Sequence, residues 1–125
     1  MLYTLFIHNA DPRDAGISED DMAPVKAAFE TYVKDLDEAG AFVTTQILGM
    51  PEVATTVTAV DGEPKIQDGP FADTKEYVGG IVVIDVPDLD AALAWAQKCP
   101  GATYGTVEVR PTALTWSRER QWHQP

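Results

Sequence analysis

"GIVVIDVPDLDAALAWAQKCPGATYGTVEVRP", residues 80 to 111, carries the pattern that decides the fold. "GIVVIDV" is a run of β-branched apolar residues and reads as a buried central strand. Asp88 then caps a helix, in which Leu89, Ala92, Leu93 and Ala96 form the stripe expected to be buried. Cys99 falls in the last turn, and Pro100-Gly101 stops the helix. "GTVEVRP" alternates like a strand that closes the unit.

Working towards the N-terminus, "LYTLFIH" is a second run of strand formers, followed by the turn-rich loop "NADPRDAG". Met22, Val25, Phe29, Tyr32, Val33 and Leu36 recur at helical spacing. Pro24 lacks an N–H and belongs in the first helical turn, which makes Asp20 or Asp21 a better N-cap than Ser18. Gly40 suits the left-handed residue that ends the helix. "AFVTTQILGM" and "ATTVTAV" are strand-like, and Asp61-Gly62 is the pair of a tight hairpin turn leading to a short strand that ends at Asp68. The order β-α-β-β-(β)-β-α-β is an α+β plan of the ferredoxin-like kind. Two helices lie on one face of an antiparallel sheet, with a β-hairpin as insert.

That plan leaves a face uncovered. "IVVIDV" and "LYTLFI" are apolar on both sides of the strand, and no third helix exists to cover the second side. Another copy's sheet is the expected cover, making a homodimer. Residues 1–111 then form the domain and residues 112–125 a C-terminal arm. In "TALTWSRERQWHQP" the arm carries Trp116 and Trp122 as anchors, and Arg118 and Arg120 to meet an acidic body.

The body is acidic indeed: 20 acids against 9 bases give a formal net charge of −11. Such a field repels phosphate backbones, so nucleic acid is not an expected partner. A small organic ligand held in a local pocket suits it better. No apolar run approaches the roughly 20 residues of a membrane helix. "MLYTLFIHNADPRDAG" lacks the basic start of a signal peptide, and the expectation is a cytoplasmic protein. Cys99 has no partner for an internal disulfide. Two histidines and one cysteine do not make a compact soft-metal site, no loop has the acid spacing of a calcium loop, and no phosphate-cradling glycine loop appears; neither metal nor cofactor is expected, an all-carboxylate site for a hard cation being the alternative left open.

The chemistry gathers in "IQDGPFADTKEYVGG", residues 66 to 80. Aspartate commonly bonds the N–H two residues on, and Pro70 has none. The Asp68 carboxylate is left to reach the N–H of Phe71 or Ala72, or to stay available. Gly69 to Ala72 suits a tight turn with Pro70 in second place, Phe71 being driven inward as a plug. Asp73-Thr74-Lys75-Glu76 has the spacing of one capped helical turn. Gly79-Gly80 allows close backbone approach. As a site, the turn presents Asp68, Asp73, Thr74, Lys75 and Glu76 around a cleft.

These residues also carry a likeness. Asp68-Gly69-Pro70-Phe71, Lys75-Glu76, Gly79-Gly80, Asp85 to Asp88, Ala94-Trp95 and Val107 to Pro111 together resemble the DGPF branch of the YCII-related proteins, over most of the chain up to Pro111. The resemblance implies a dimeric α+β barrel, related to ferredoxin-like enzymes such as muconolactone isomerase. It implies little about chemistry, beyond an accessory role beside extracytoplasmic-type sigma factors for some members. The wider family has a proposed His-Asp pair with its histidine in or before the first helix. "DDMAPVKAAFETYVKDL" contains no histidine, so that pair does not carry over. His8, closing the first strand, is the candidate acid or base, with Asp68 to orient it or to act as a base itself. Arg110, at the end of the last strand, is the candidate clamp for a ligand carboxylate. Two functions follow: a homodimer binding a small organic ligand without turnover, or a cofactor-independent lyase or isomerase using Asp68 and His8.

Overall fold

Strand β1, Leu2–Ala10, sets the layers by its alternation. Tyr3, Leu5 and Ile7 are buried on one side, while Leu2, Thr4, Phe6 and His8 are half-open on the other. The computed structural model describes residues 1–125 apart from the side chains of Ala15 and Glu19. The remaining strands are β2 (Phe42–Ile47), β3 (Thr55–Val60), β4 (Glu63–Asp68), β5 (Glu76–Asp85), β6 (Thr106–Pro111), β7 (Thr115–Ser117) and β8 (Gln121–His123). The main sheet runs β2-β5-β1-β6, with every neighbour antiparallel. The apolar runs at residues 2–8 and 80–86 therefore sit in its middle, as expected of strands apolar on both sides. The protein is α+β, built on antiparallel sheets. No described helix is long and apolar enough to cross a membrane.

Helices α1 (Ala23–Glu38) and α2 (Leu89–Lys98) cover the Tyr3–Leu5–Ile7 side. Tyr32 and Leu36 from α1, with Ala92 and Ala96 from α2, close a core with Val82, Ile84 and Cys99. The Tyr32 hydroxyl donates to the Trp95 carbonyl at 2.8 Å, and the two rings meet edge to face. That bond ties the helices together and satisfies a buried hydroxyl that would otherwise be costly. Burial pushes the Tyr32 pKa well above its ordinary value.

Several local expectations need correction. A 3-10 turn, Glu19–Met22, precedes α1, so neither Asp20 nor Asp21 is its N-cap. Ser18 instead donates from both its hydroxyl and its backbone N–H to the Asp21 carboxylate, at 3.0 and 3.1 Å. Those bonds hold Asp21 below its usual pKa. Pro24 fits because it lies in the first turn of α1.

Gly40 does end α1 with φ +72°, and the N–H groups of Gly40 and Ala41 return to the carbonyls of Asp37 and Leu36. Asp88 caps α2 by accepting from the Ala91 N–H at 2.9 Å. The buried stripe of α2 is narrower than its periodicity suggests: Ala92 and Ala96 are inside, whereas Leu89 and Leu93 are exposed. The helix lies close to the sheet on its alanine face, and Trp95 fills the gap towards α1. Pro100-Gly101 does end α2, whose Cys99 cap is already extended at ψ 126°, and the chain then makes one further helical turn, α3, over Gly101–Tyr104.

The β3–β4 hairpin turns at Asp61-Gly62, both at positive φ, and pairs with no other strand. Val57 and Ile66 face each other across it, both exposed. Residues 112–125 contain the β7–β8 hairpin, in which Trp116 and Trp122 stand opposite one another, both exposed.

Candidate functional site

The end of the sheet where β1 runs into its loop is irregular by design of sequence. The register slips between Ile7 and His8, which pair with Gly80 and Val78, leaving Gly79 as the extra residue of a bulge. A side chain at Gly79 would strike the Asn9 amide, so the close approach that the glycine pair suggested is an approach to the protein's own backbone and side chains. Gly80 likewise sits against the Gln46 carbonyl.

Both glycines also lie in the lining of a space between the sheet end, α1 and α3. This cavity has a volume of about 310 Å³. Its walls are mainly apolar, with Ile7, Val25, Phe29 and Met50 among them. Asn9, Lys26, Tyr77 and Tyr104 bring polar groups. Burial raises the pKa of both tyrosines, and for Tyr77 the nearby Asp11 carboxylate adds to the effect, so both hydroxyls remain protonated donors near neutral pH. The Tyr77 hydroxyl contacts the Met50 sulfur at 3.4 Å. Tyr77 and Met50 form a wall: the cavity lies on one side, and an open apolar cleft lined by His8, Pro70, Phe71 and Glu76 lies on the other. A third recess, polar and open, runs beside Tyr77 along Asp11, Arg13, Glu52, Asp68, Asp73 and Lys75.

The expected site residues are thus divided among different places. Asp68 ends β4, exposed, in the polar recess. The turn after it is held by β3: Gly69, at φ +98°, donates its N–H to the Ala54 carbonyl at 2.8 Å, and the Thr56 hydroxyl donates to the Gly69 carbonyl at 2.7 Å. Phe71 is no plug, being 85% exposed. Asp73 to Glu76 make no helical turn; the Thr74 hydroxyl bonds the Glu76 carbonyl and β5 starts there. Thr74 and Lys75 line the same polar recess as Asp68 and Asp73, and Glu76 the apolar cleft. Arg13 bonds both Asp11, at 2.7 Å, and Glu52, at 3.1 Å, which holds the Asp11 carboxyl below its usual range.

His8 does not meet Asp68. Its Nε2 lies 3.0 Å from Glu108 Oε1, across β1 and β6 on the uncovered face of the sheet. The anticipated Asp68–His8 pair is therefore replaced by His8–Glu108. Arg110 is on that same uncovered face, its guanidinium 6.0 Å from the centre of the Phe6 ring, and it lines none of the three recesses. Glu108 was identifiable in principle: His8 and Glu108 are both even-numbered positions of strands whose odd positions carry the more buried apolar residues. Lys26 and Asn9 carried no sequence signal, since their role depends on how α1 crosses the end of the sheet.

The architecture and these recesses define a small antiparallel α+β domain with an apolar cavity at one sheet end. The YCII-related domain model matches residues 1–115, and the chain belongs to that family. It is also similar to an uncharacterized protein of Rhizobium meliloti (strain 1021), with 33% identity over 116 residues, covering 91% of this chain and 94% of the relative.

Proposed function

We propose that this protein is a homodimer that binds a small organic ligand in the cavity behind Tyr77. The observation that carries the reading is the cavity itself: about 310 Å³, mostly apolar, with a few convergent polar groups, within the range of small-molecule sites. The Asp68-Gly69-Pro70-Phe71 turn borders the open clefts on the far side of Tyr77, so its part in this reading is to support that wall. The strand order β2-β5-β1-β6 with helices on one face supports a ferredoxin-like plan, and the half-open apolar face supports pairing of two sheets as a dimeric α+β barrel. An accessory role beside a sigma factor, with the ligand as its signal, rests on the resemblance of residues 68–111 alone.

A thermal-shift screen of small aromatic and alicyclic compounds tests the cavity. A ligand at a hundredfold excess over its Kd adds about 2.7 kcal/mol, a rise in Tm on the order of 10 °C for a domain of this size. Ile47→Trp places a ring over the cavity from an edge strand where the native side chain is largely exposed, so the fold tolerates it. The variant is expected to keep its own Tm and lose the ligand-induced rise. Hits that shift both proteins equally would refute binding there.

The His8–Glu108 pair supports a second reading, cofactor-independent proton transfer in a lyase or isomerase. A carboxylate that holds one imidazole nitrogen leaves the other for a substrate proton. Asp68 has no part in that version. Its expected signature is solvent-deuterium incorporation into some member of a panel of small carbonyl compounds, reduced by about 100-fold or more in His8→Asn. Equal incorporation with the variant removes this reading.

A further inference from the structure

The charge pattern of the cavity specifies the ligand further than its size does. The chain carries 20 acidic and 9 basic side chains, yet among the described residues no aspartate or glutamate lines the cavity. Among the described residues the one charged group at its wall is Lys26, which forms no ion pair with any of them. The other polar side chains there are Asn9, Tyr77 and Tyr104. Protonated tyrosines and an ammonium are donors, and the Asn9 amide adds donor capacity. A recess whose described lining has apolar walls, several donors, one cation and no carboxylate is complementary to a small anion with an apolar body.

We infer that the ligand of this cavity is a small carboxylic acid with an aromatic or alicyclic body, its carboxylate held by Lys26 with hydroxyl donation from Tyr77 or Tyr104. This rests on the cavity reading above and adds the ligand's charge to it. The alternative for Lys26, a solvated lysine on a helix surface, accounts for its exposure. It does not account for the absence of carboxylates from the described lining residues of so acidic a protein. The long-range field of the body repels any anion. A preference for an acid over its neutral isostere therefore reports the local groups and not the net charge.

The test uses the full chain and a matched pair of probes, 2-naphthoate and 2-naphthamide, in calorimetric titration at neutral pH. The wild-type protein is expected to bind the acid at least tenfold more tightly than the amide, the margin of one charge-assisted hydrogen bond. Lys26→Met should weaken the acid by tenfold or more, leave the amide unchanged, and so erase the preference. Lys26→Arg should keep most of it. Because Lys26 is exposed on α1, these variants fold, and an unaltered Tm checks this. Equal affinities for acid and amide in the wild type, or an acid affinity indifferent to Lys26→Met, overturn the inferred charge while the cavity reading stands. Failure of both probes to bind the wild type, or binding undiminished by Ile47→Trp, overturns the cavity reading and this one with it.

Discussion

Gly105→Ala is expected to destabilise the protein severely, by about 3 kcal/mol, at or beyond the upper end for overpacking. The reason is not backbone conformation: Gly105 has φ −148°, which any residue adopts. It is space. A methyl group at Gly105 would fall on the carbonyl oxygen of His8, with the Asn9 Cβ and the Gly101 carbonyl each 3.3 Å away. Two of those three neighbours are backbone atoms, so no side chain can swing aside to make room. The bond from the Gly105 N–H to the Gly101 carbonyl, at 2.9 Å, closes α3 and sets the entry into β6. Relief would have to come from moving β6 away from the end of β1, where Thr106 pairs with His8. The same motion would pull Glu108 from the His8 ring. Urea denaturation should thus show a lower midpoint with an unchanged slope. A loss under about 1 kcal/mol would mean that the β1–β6 edge is looser than described.

The fold was legible where the signals are local. Gly40, the Asp88 cap and the Asp61-Gly62 turn each satisfy a requirement that involves only a few neighbouring residues, and each is where its chemistry puts it. The central strands were legible because two-sided apolarity means coverage on both faces whatever the topology. Leu89 and Leu93 misled because helical periodicity defines a face without saying which part of it touches the sheet; the alanines, permitting closer approach, took that place. Phe71 misled for a similar reason. A proline turn orients a ring, but only the surroundings decide whether it points to a core, and here it points outward. The site was less legible than the fold. Asp68 looked like the partner of His8 because the sequence puts both at strand ends, yet β1 runs on to Ala10, and the β3–β4 hairpin pairs only with itself and carries Asp68 into a different recess. The cavity lies where two glycines, a bulge and the crossing of α1 meet, none of which is a motif.

Ile81→Asp is expected to weaken the proposed dimer by more than 100-fold, giving a monomer in sedimentation at micromolar concentrations. Ile81 pairs with Phe6 at the centre of the uncovered face, beside Val83 opposite Thr4, with Gln46, Glu108 and Arg110 on the flanking strands. Its half-open state contrasts with the full burial of Val82 and Ile84 on the other side. In a twofold interface one substitution enters twice, so two carboxylates would approach each other in an apolar centre. Like charges brought together there cost several kcal/mol, and each 1.4 kcal/mol is a tenfold change. Unfolding is not the expected cause of any loss, because an aspartate on this face of a lone subunit remains in contact with water. The control is Leu93→Asp, an equal change on the exposed side of α2, which should stay dimeric. If Ile81→Asp sediments as the wild type does, the uncovered face is not the contact. The exposed pairs Val57–Ile66 and Trp116–Trp122 then become the surfaces to alter, since each hairpin shows an apolar pair with nothing of its own sheet to cover it.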